Sequence, residues 1–222
     1  MIYIVFANGD LQDVPILRQR IAALDEPLYV VGADGGSRYA AQLDLDLDRV
    51  IGDMDSILPD VREGLESQGV PFDVYPPEKN ETDLELSLLH VSSHAAERHQ
   101  PCRVIVLGTV GDRLDMTLAN MLLLTHDRLS HIQGELWRGS QTAWLMRPPG
   151  GPITGEVGDT ISLIPLGGDA QSVYTHGLRY RLQNEPLRFG PARGVSNVLS
   201  DRNAHIRFKD GILLVVHTPG RA

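Results

Sequence analysis

Cysteine and positive charge are both scarce in this sequence. A single cysteine, Cys102, among 222 residues cannot close an internal disulfide, which excludes the stapled small-domain folds of secreted proteins. Lys and Arg number 20 against 29 Asp and Glu, a formal net charge of −9. So acidic a chain lacks the basic surface that nucleic acids and anionic membranes require, and neither is expected as a partner. No run approaches the roughly 18 consecutive apolar residues of a membrane helix. Met1 passes straight into Ile2-Tyr3-Ile4-Val5-Phe6, without a basic region or a small-residue cleavage site. That segment is expected to be a first strand and not a signal peptide, and the chain to be cytoplasmic. Also missing are G-x-x-x-x-G-K-S/T and G-x-G-x-x-G, so neither a P-loop nor the usual dinucleotide fingerprint supplies a nucleotide site. If the protein binds a phosphate compound, local groups or a divalent metal must hold it.

What is present is a globular composition, 42% hydrophobic and 22% charged, with enough length for one large or two small domains. To about residue 135, short β-branched runs alternate with segments of helical period, the pattern of an α/β domain. Strands are predicted over 2–7, 28–31, 49–51, 72–75 and 104–107, and helices over 14–24, 37–43, 60–68, 83–98 and 114–126. Thr82-Asp83-Leu84-Glu85 has the spacing of a capping box at a helix start. Leu118, Met121, Leu122 and Leu124 read as core positions of the last helix. After about residue 140, Gly, Pro and Thr become frequent and short alternating stretches predict a small antiparallel β domain. Lys209-Asp210-Gly211 has the look of a hairpin turn between its last two strands. The expected domains are 1–140 and 141–222, with the Pro- and Gly-rich stretch 147–152 marking the junction.

Four turns, each following a predicted strand, could carry chemistry. In Gly52-Asp53-Met54-Asp55-Ser56, extended chain would put Asp53 and Asp55 on one side of a strand end, two hard oxygen ligands suited to Mg²⁺. D-x-D is also the mark of a solvated acidic turn. In Ala33-Asp34-Gly35-Gly36-Ser37-Arg38 the glycines allow close approach to a ligand and a helix start offers N–H groups to an anion, although ordinary βα turns favour the same residues. Asn8-Gly9, after the first strand, shares that ambiguity. Asp83 is explained by capping alone but adds a third carboxylate, and Lys79 nearby is either a phosphate ligand or a solvated lysine. In Gly108-Thr109-Val110-Gly111-Asp112-Arg113-Leu114-Asp115, Arg113 could fork onto phosphate oxygens or simply pair with an acid. Asp112 and Asp115 would share a face if the helix has begun there. His90 and His94, at i and i+4, lack the glutamate of a zinc motif and read as exposed helix residues. Cys102 reads as a small hydrophobe. Tyr174, Tyr180, Phe189 and Phe208 are either core or partners for a ligand ring.

Taken together, these turns, with Gly194-Val195-Ser196-Asn197 in the β-rich part, resemble the thiamine pyrophosphokinase family. The resemblance implies transfer of the diphosphoryl group of ATP to the hydroxyl of thiamine, giving AMP and thiamine diphosphate with Mg²⁺. It implies a mostly parallel-sheet α/β nucleotide-binding domain followed by an antiparallel β-sandwich, working as a homodimer. By the same resemblance, Asp53, Asp55 and Asp83 bind metal. Asn8, Gly9, Asp34, Gly35, Gly36, Lys79, Thr109, Gly111 and Arg113 hold the nucleotide. Asp115 lies near the attacking hydroxyl, and Ser196 and Asn197 help form the thiamine pocket. Asn80, Met116 and Val198 depart from the pattern of many bacterial relatives. The competing expectations are the same transfer to another acceptor such as a hydroxymethyl pterin, a nucleotide-binding regulator without catalysis, and a Mg²⁺-dependent phosphohydrolase.

Overall fold

The apolar run Ile2–Phe6 forms strand β1, with parallel strands on both sides and all five residues buried, as in a sheet covered on both faces. In the computed structural model, which describes residues 1–220, the chain separates into two units, Met1–Gly139 and the segment from Ser140 onward. The first unit adds β2 (Leu28–Ala33), β3 (Arg49–Gly52), β4 (Phe72–Val74), β5 (Arg103–Leu107) and β6 (Gln133–Arg138). Their order is β6-β5-β1-β2-β3-β4 and every pairing is parallel. The chain runs outward from β1 to β4 and then crosses to β5 on the other side of β1. The strand order therefore reverses between β1 and β5, where an open α/β sheet leaves a crevice at its carboxyl edge.

The helices are α1 (Val14–Ala22), α2 (Pro59–Ser67), α3 (Asp83–Glu97) and α4 (Leu114–Leu123). The predicted cap holds: Thr82 accepts the Glu85 N–H at 3.1 Å and starts α3, which buries Leu84, Leu88, Val91 and Ala95 along one face. Burial among apolar neighbours also explains Cys102, whose thiol pKa is pushed up to about 11.

Several expectations fail for identifiable reasons. The helix predicted over 37–43 is instead two 3-10 turns, Asp34–Tyr39 and Ala41–Leu43. Gly36 presses against β1 so closely that a Cβ there would lie 2.3 Å from the Phe6 carbonyl oxygen, and the chain tightens to make that approach. Strand β6 was not anticipated, because Gln133-Gly134-Glu135 hides it and only Leu136 and Trp137 are buried. Helix α4 buries Leu124 at its end but exposes Leu118 (56%) and Leu122 (42%), with Leu114 (79%) on the same stripe, so these leucines are not core. His90 and His94 are not exposed either. They are half-buried, their rings stack at 6.1 Å, and Tyr29 and Tyr3 hydroxyls meet His90 Nε2 and His94 Nδ1.

The second unit contains β7 (Gln141–Met146), β8 (Gly150–Thr154), β9 (Thr160–Pro165), β10 (Ala170–His176), β11 (Gln183–Leu187), β12 (Asn197–Val198), β13 (Asn203–Arg207) and β14 (Leu213–Thr218). They form two antiparallel sheets, β12-β9-β14-β7 and β11-β10-β13-β8. Ile161, Leu163, Leu213 and Val215 from one sheet and Val173, Ala204 and Ile206 from the other share one core, which makes the unit a β-sandwich. Phe208 joins that core, whereas Tyr174, Tyr180 and Phe189 are exposed. The stretch 147–152 turns from β7 into β8 inside this unit. Lys209-Asp210-Gly211 is not a hairpin. The alternating apolar residues of β13 and β14 face one core from opposite sides, so the turn passes between sheets, with Gly211 at φ 98° and Asp210 and Lys209 bonded to the Gln171 backbone. Among the described residues no helix is long and apolar enough to cross a membrane.

Candidate active site

At the reversal point, the turns after β1 and β5 are laced together. Gly9 N–H donates to the Gly108 carbonyl at 2.8 Å and Asp10 N–H to that of Val110 at 2.7 Å. A Cβ on Gly9 would lie 2.5 Å from the Gly108 oxygen, so only glycine permits the contact. Arg38 binds Asn8 Oδ1, the Gly35 carbonyl and the Tyr39 hydroxyl, while Tyr39 donates to the Gly9 carbonyl. These bonds brace one side of a cleft of about 370 Å³. Asn8, Gly9, Asp34, Asp53, Asp55, Lys79, Asp83, Thr109, Gly111 and Arg113 all line it. Gly35 and Gly36 lie buried beneath it, and Asp115 is outside its lining.

The centre of the cleft is acidic. Asp34, Asp53 and Asp83 each present a carboxylate oxygen, all within 4.8 Å of one another. Gly52 makes the convergence possible: at φ 154°, its Cβ would stand 2.8 Å from Asp34 Cβ and 3.0 Å from Asp83 Cγ. Lys79 lies among them and not in solvent, with Nζ 3.0 Å from Asp53 Oδ2 and 2.9 Å from Asp83 Oδ1. Its hydrogen bond holds the Asp53 carboxyl below the usual range. Burial pushes the carboxyls of Asp34 and Asp83 up, and at Asp83 this outweighs the Lys79 ammonium. Burial would lower Lys79, but its bonds to Asp83 and Asp53 outweigh that and raise it.

The third member of the cluster is thus Asp34, where the sequence pointed to Asp55. The i, i+2 argument assumed extended chain, yet Met54 between the two aspartates sits at φ 65°. Asp53 instead accepts the Asp55 N–H, and Asp55 turns outward to take the Ser56 hydroxyl at 2.8 Å while still bordering the cleft. Asp34 is 2% exposed; its Oδ2 accepts the Ser56 N–H at 3.1 Å and its Oδ1 is buried with no partner. A buried, unpaired carboxylate oxygen facing two further carboxylates fits a hard divalent cation with oxygen ligands, so the donor set is right for Mg²⁺.

On the far wall, Arg113 pairs with Asp115, Nε to Oδ1 at 3.2 Å, and both are exposed. That pair holds the Asp115 carboxyl low. Helix α4 begins at Leu114, so Asp112 precedes it and does not share its face with Asp115. Sequence reasoning missed Asn120 and Thr117. Buried Asn120 donates to the Thr109 carbonyl at 3.0 Å, and Thr117 Oγ1 accepts the Gly111 N–H at 3.2 Å, so both shape the turn after β5. Their signal was two polar residues three apart among apolar ones, after the acidic first turn of the helix. Met116 also borders the cleft, while Asn80 is exposed.

In the second unit, Ser196 adopts φ 57° and borders a shallow concavity with Gln141, Ser162 and Thr218. Asn197 is buried and occupied: its Oδ1 accepts the N–H groups of Tyr180 and Val198, and its Nδ2 donates to the Tyr180 carbonyl. It positions backbone around Ser196 more than it offers an amide to a ligand.

Comparison with known proteins agrees with this architecture. Residues 22–133 match the family model for the catalytic domain of thiamin pyrophosphokinase, and residues 152–213 match that for its vitamin B1 binding domain. The thiamine pyrophosphokinase of Bacillus subtilis is 30% identical over 196 residues, covering 87% of this chain and 89% of that one. Its crystal structure superposes with a TM-score of 0.83 and 27% identity over 99% of both chains. The thiamin pyrophosphokinase of Geobacillus thermodenitrificans has the same fold, with a TM-score of 0.79 at 24% identity over 98% of this chain and 97% of that one. An α/β unit with a carboxylate-rich cleft, joined to a β-sandwich, is thus the architecture of a kinase. The chain belongs to the thiamine pyrophosphokinase family, whose reaction moves the diphosphoryl group of ATP to thiamine.

Proposed function

We propose that the first unit, expected over 1–140, binds ATP with Mg²⁺ and that the second, 141–222, binds thiamine, the chain working as a cytoplasmic homodimer. The observation that carries the reading is the trio Asp34, Asp53 and Asp83, with its unpaired buried oxygen on Asp34. These three would hold the cation, with Asp55 at the rim of the cleft. When bound, Mg²⁺ supplies the positive charge that a departing phosphate chain requires. Asn8, Gly9, Gly35, Gly36, Thr109 and Gly111 form or support the backbone walls that receive the nucleotide, and Lys79 balances the carboxylates. Arg113 is exposed and its one ion pair is with Asp115, so phosphate oxygens can reach the remaining Nη1 or take the place of that carboxylate on its fork. Asp115 would then stand near the attacking hydroxyl. Ser196 and Asn197 would shape the thiamine pocket, and the protein's negative field favours a cationic acceptor. The exposed stripe Leu114, Leu118 and Leu122 supports a second copy covering α4.

The test is a chromatographic assay of the purified chain with ATP and Mg²⁺, with and without thiamine. AMP and thiamine diphosphate should appear in equal amounts and only with thiamine. Phosphate release from ATP that ignores thiamine would overturn the reading.

A further inference from the structure

The outer face of the sheet β11-β10-β13-β8 carries a second concavity, of about 670 Å³, which shares no residue with the carboxylate cleft. Its construction follows from strand register. Gln183, Tyr174, Arg207 and Gly150 lie abreast across the four strands, and His176 stands directly opposite His205 one step along the same face. Arg181, from the connection into β11, closes one side. At the other end Gly150 leaves the floor open beside Arg207. It sits at φ 97°, and a Cβ there would lie 2.2 Å from the Ile206 carbonyl oxygen.

The polarity of this lining is opposite to that of the chain. The protein's net charge is −9, yet no aspartate or glutamate lines the concavity, while two arginines and two histidines do. Among the described residues, the side chains of Arg181, Arg207, His176 and His205 make no hydrogen bond or ion pair with the protein. Three other arginines of this unit, Arg188, Arg193 and Arg202, each pair with a carboxylate, whereas the concavity offers its two none. The two guanidinium groups lining one concavity without a carboxylate repel one another, and an anion bound between them removes that cost. Two guanidinium forks, each with five donors, match the oxygens of adjacent phosphates better than those of a single small anion. Tyr174, 46% exposed and lining the same space, presents a ring face, and the volume lies within the usual range for small-molecule sites.

We propose that this concavity binds a small molecule bearing adjacent phosphates and a flat ring, with Arg181 and Arg207 on the phosphates and Tyr174 against the ring. The test uses the full chain with EDTA, so that the divalent-free carboxylates of the other cleft repel anions. Inorganic pyrophosphate and ADP are the probes, followed by NMR of the histidine rings. Pyrophosphate should shift the His176 and His205 resonances and saturate, with affinity falling at least tenfold in the Arg181→Ala/Arg207→Ala double variant. Both arginines are exposed, so that variant should melt as the wild type does. A Lys79→Met/Arg113→Ala variant should leave the shifts unchanged, which separates this site from the nucleotide cleft. ADP should bind more tightly than pyrophosphate, and Tyr174→Ala should remove the difference. No saturable shift, an undiminished shift in the arginine variant, or the same shift with chloride at matched ionic strength would overturn the site. Equal affinity for the two probes would overturn the ring contact.

Discussion

The ammonium of Lys79 sits 3.0 Å from the carboxylate of Asp53, and both side chains are nearly buried, at 11% and 12% exposure. With its second bond, to Asp83 at 2.9 Å, Lys79 is the counter-charge of the cleft. Removing one partner of such a buried pair leaves carboxylates uncompensated, at a cost of about 3 kcal/mol. Lys79→Met should therefore lower stability to urea by that order without divalent cation, and Mg²⁺ should recover more stability in the variant than it adds to the wild type. Identical urea midpoints for the two proteins without cation would refute this role.

Asp53 is held ionised by Lys79 and is placed to contact a cation, and the amide of asparagine matches its shape without its charge. Asp53→Asn should reduce thiamine diphosphate formation by roughly a hundredfold or more while leaving the circular dichroism spectrum unchanged. Turnover near that of the wild type would remove Asp53 from the metal site.

Asp34 gives the opposite stability signature. Burial raises its pKa, so the folded state holds the proton more tightly than the unfolded chain does. Its favourable contribution is present below about pH 4 and is lost as pH rises through the folded pKa, above which the ionised carboxylate keeps one buried oxygen without a partner. Asp34→Asn, which still accepts from Ser56, should melt higher than the wild type at pH 7.5, and the difference should disappear toward pH 3.5. Mg²⁺ should raise the melting temperature of the wild type but not of the variant. A variant that melts lower at pH 7.5 would contradict the assignment.

In the β-sandwich, Asp159 shows the reverse sign. Burial acts to raise its pKa, but the N–H groups of Gly220 and Glu156 at 2.8 and 2.9 Å, with His217 at 2.7 Å, outweigh it and hold the carboxyl low. Its contribution is present above about pH 4 and is lost as pH falls through the folded pKa. Asp159→Ala should cost about 2 kcal/mol at pH 7, read by denaturant unfolding, with the gap to the wild type narrowing in acid. A pH-independent difference would show that packing, not charge, is lost.

The local features of this protein were legible because each rests on neighbours in sequence. The apolar run of β1, the Thr82 cap and the glycine-bearing turns after β1, β2 and β5 follow from propensity and turn chemistry within a few residues. So does the change to antiparallel strands in the second unit. The acidic turns were likewise visible, since hard ligands at strand ends need no partner in sequence to be noticed.

Tertiary structure decided which of those groups meet. A positive φ at Met54 turned Asp55 outward, and the closeness of β2, β3 and α3 across Gly52 brought in Asp34. Strand register set Arg207 beside Tyr174 and His205 beside His176, far apart though they are along the chain. Whether Lys209-Asp210-Gly211 closed a hairpin or crossed between sheets depended on which core the flanking strands faced. Helix α4 reads as a core helix from its leucines alone, yet its burial depends on what stands opposite, and three leucines face away from the unit that carries them. Composition and short-range pattern determine the elements and their chemistry. Convergence is a property of distance in space, which pairing between remote segments alone supplies.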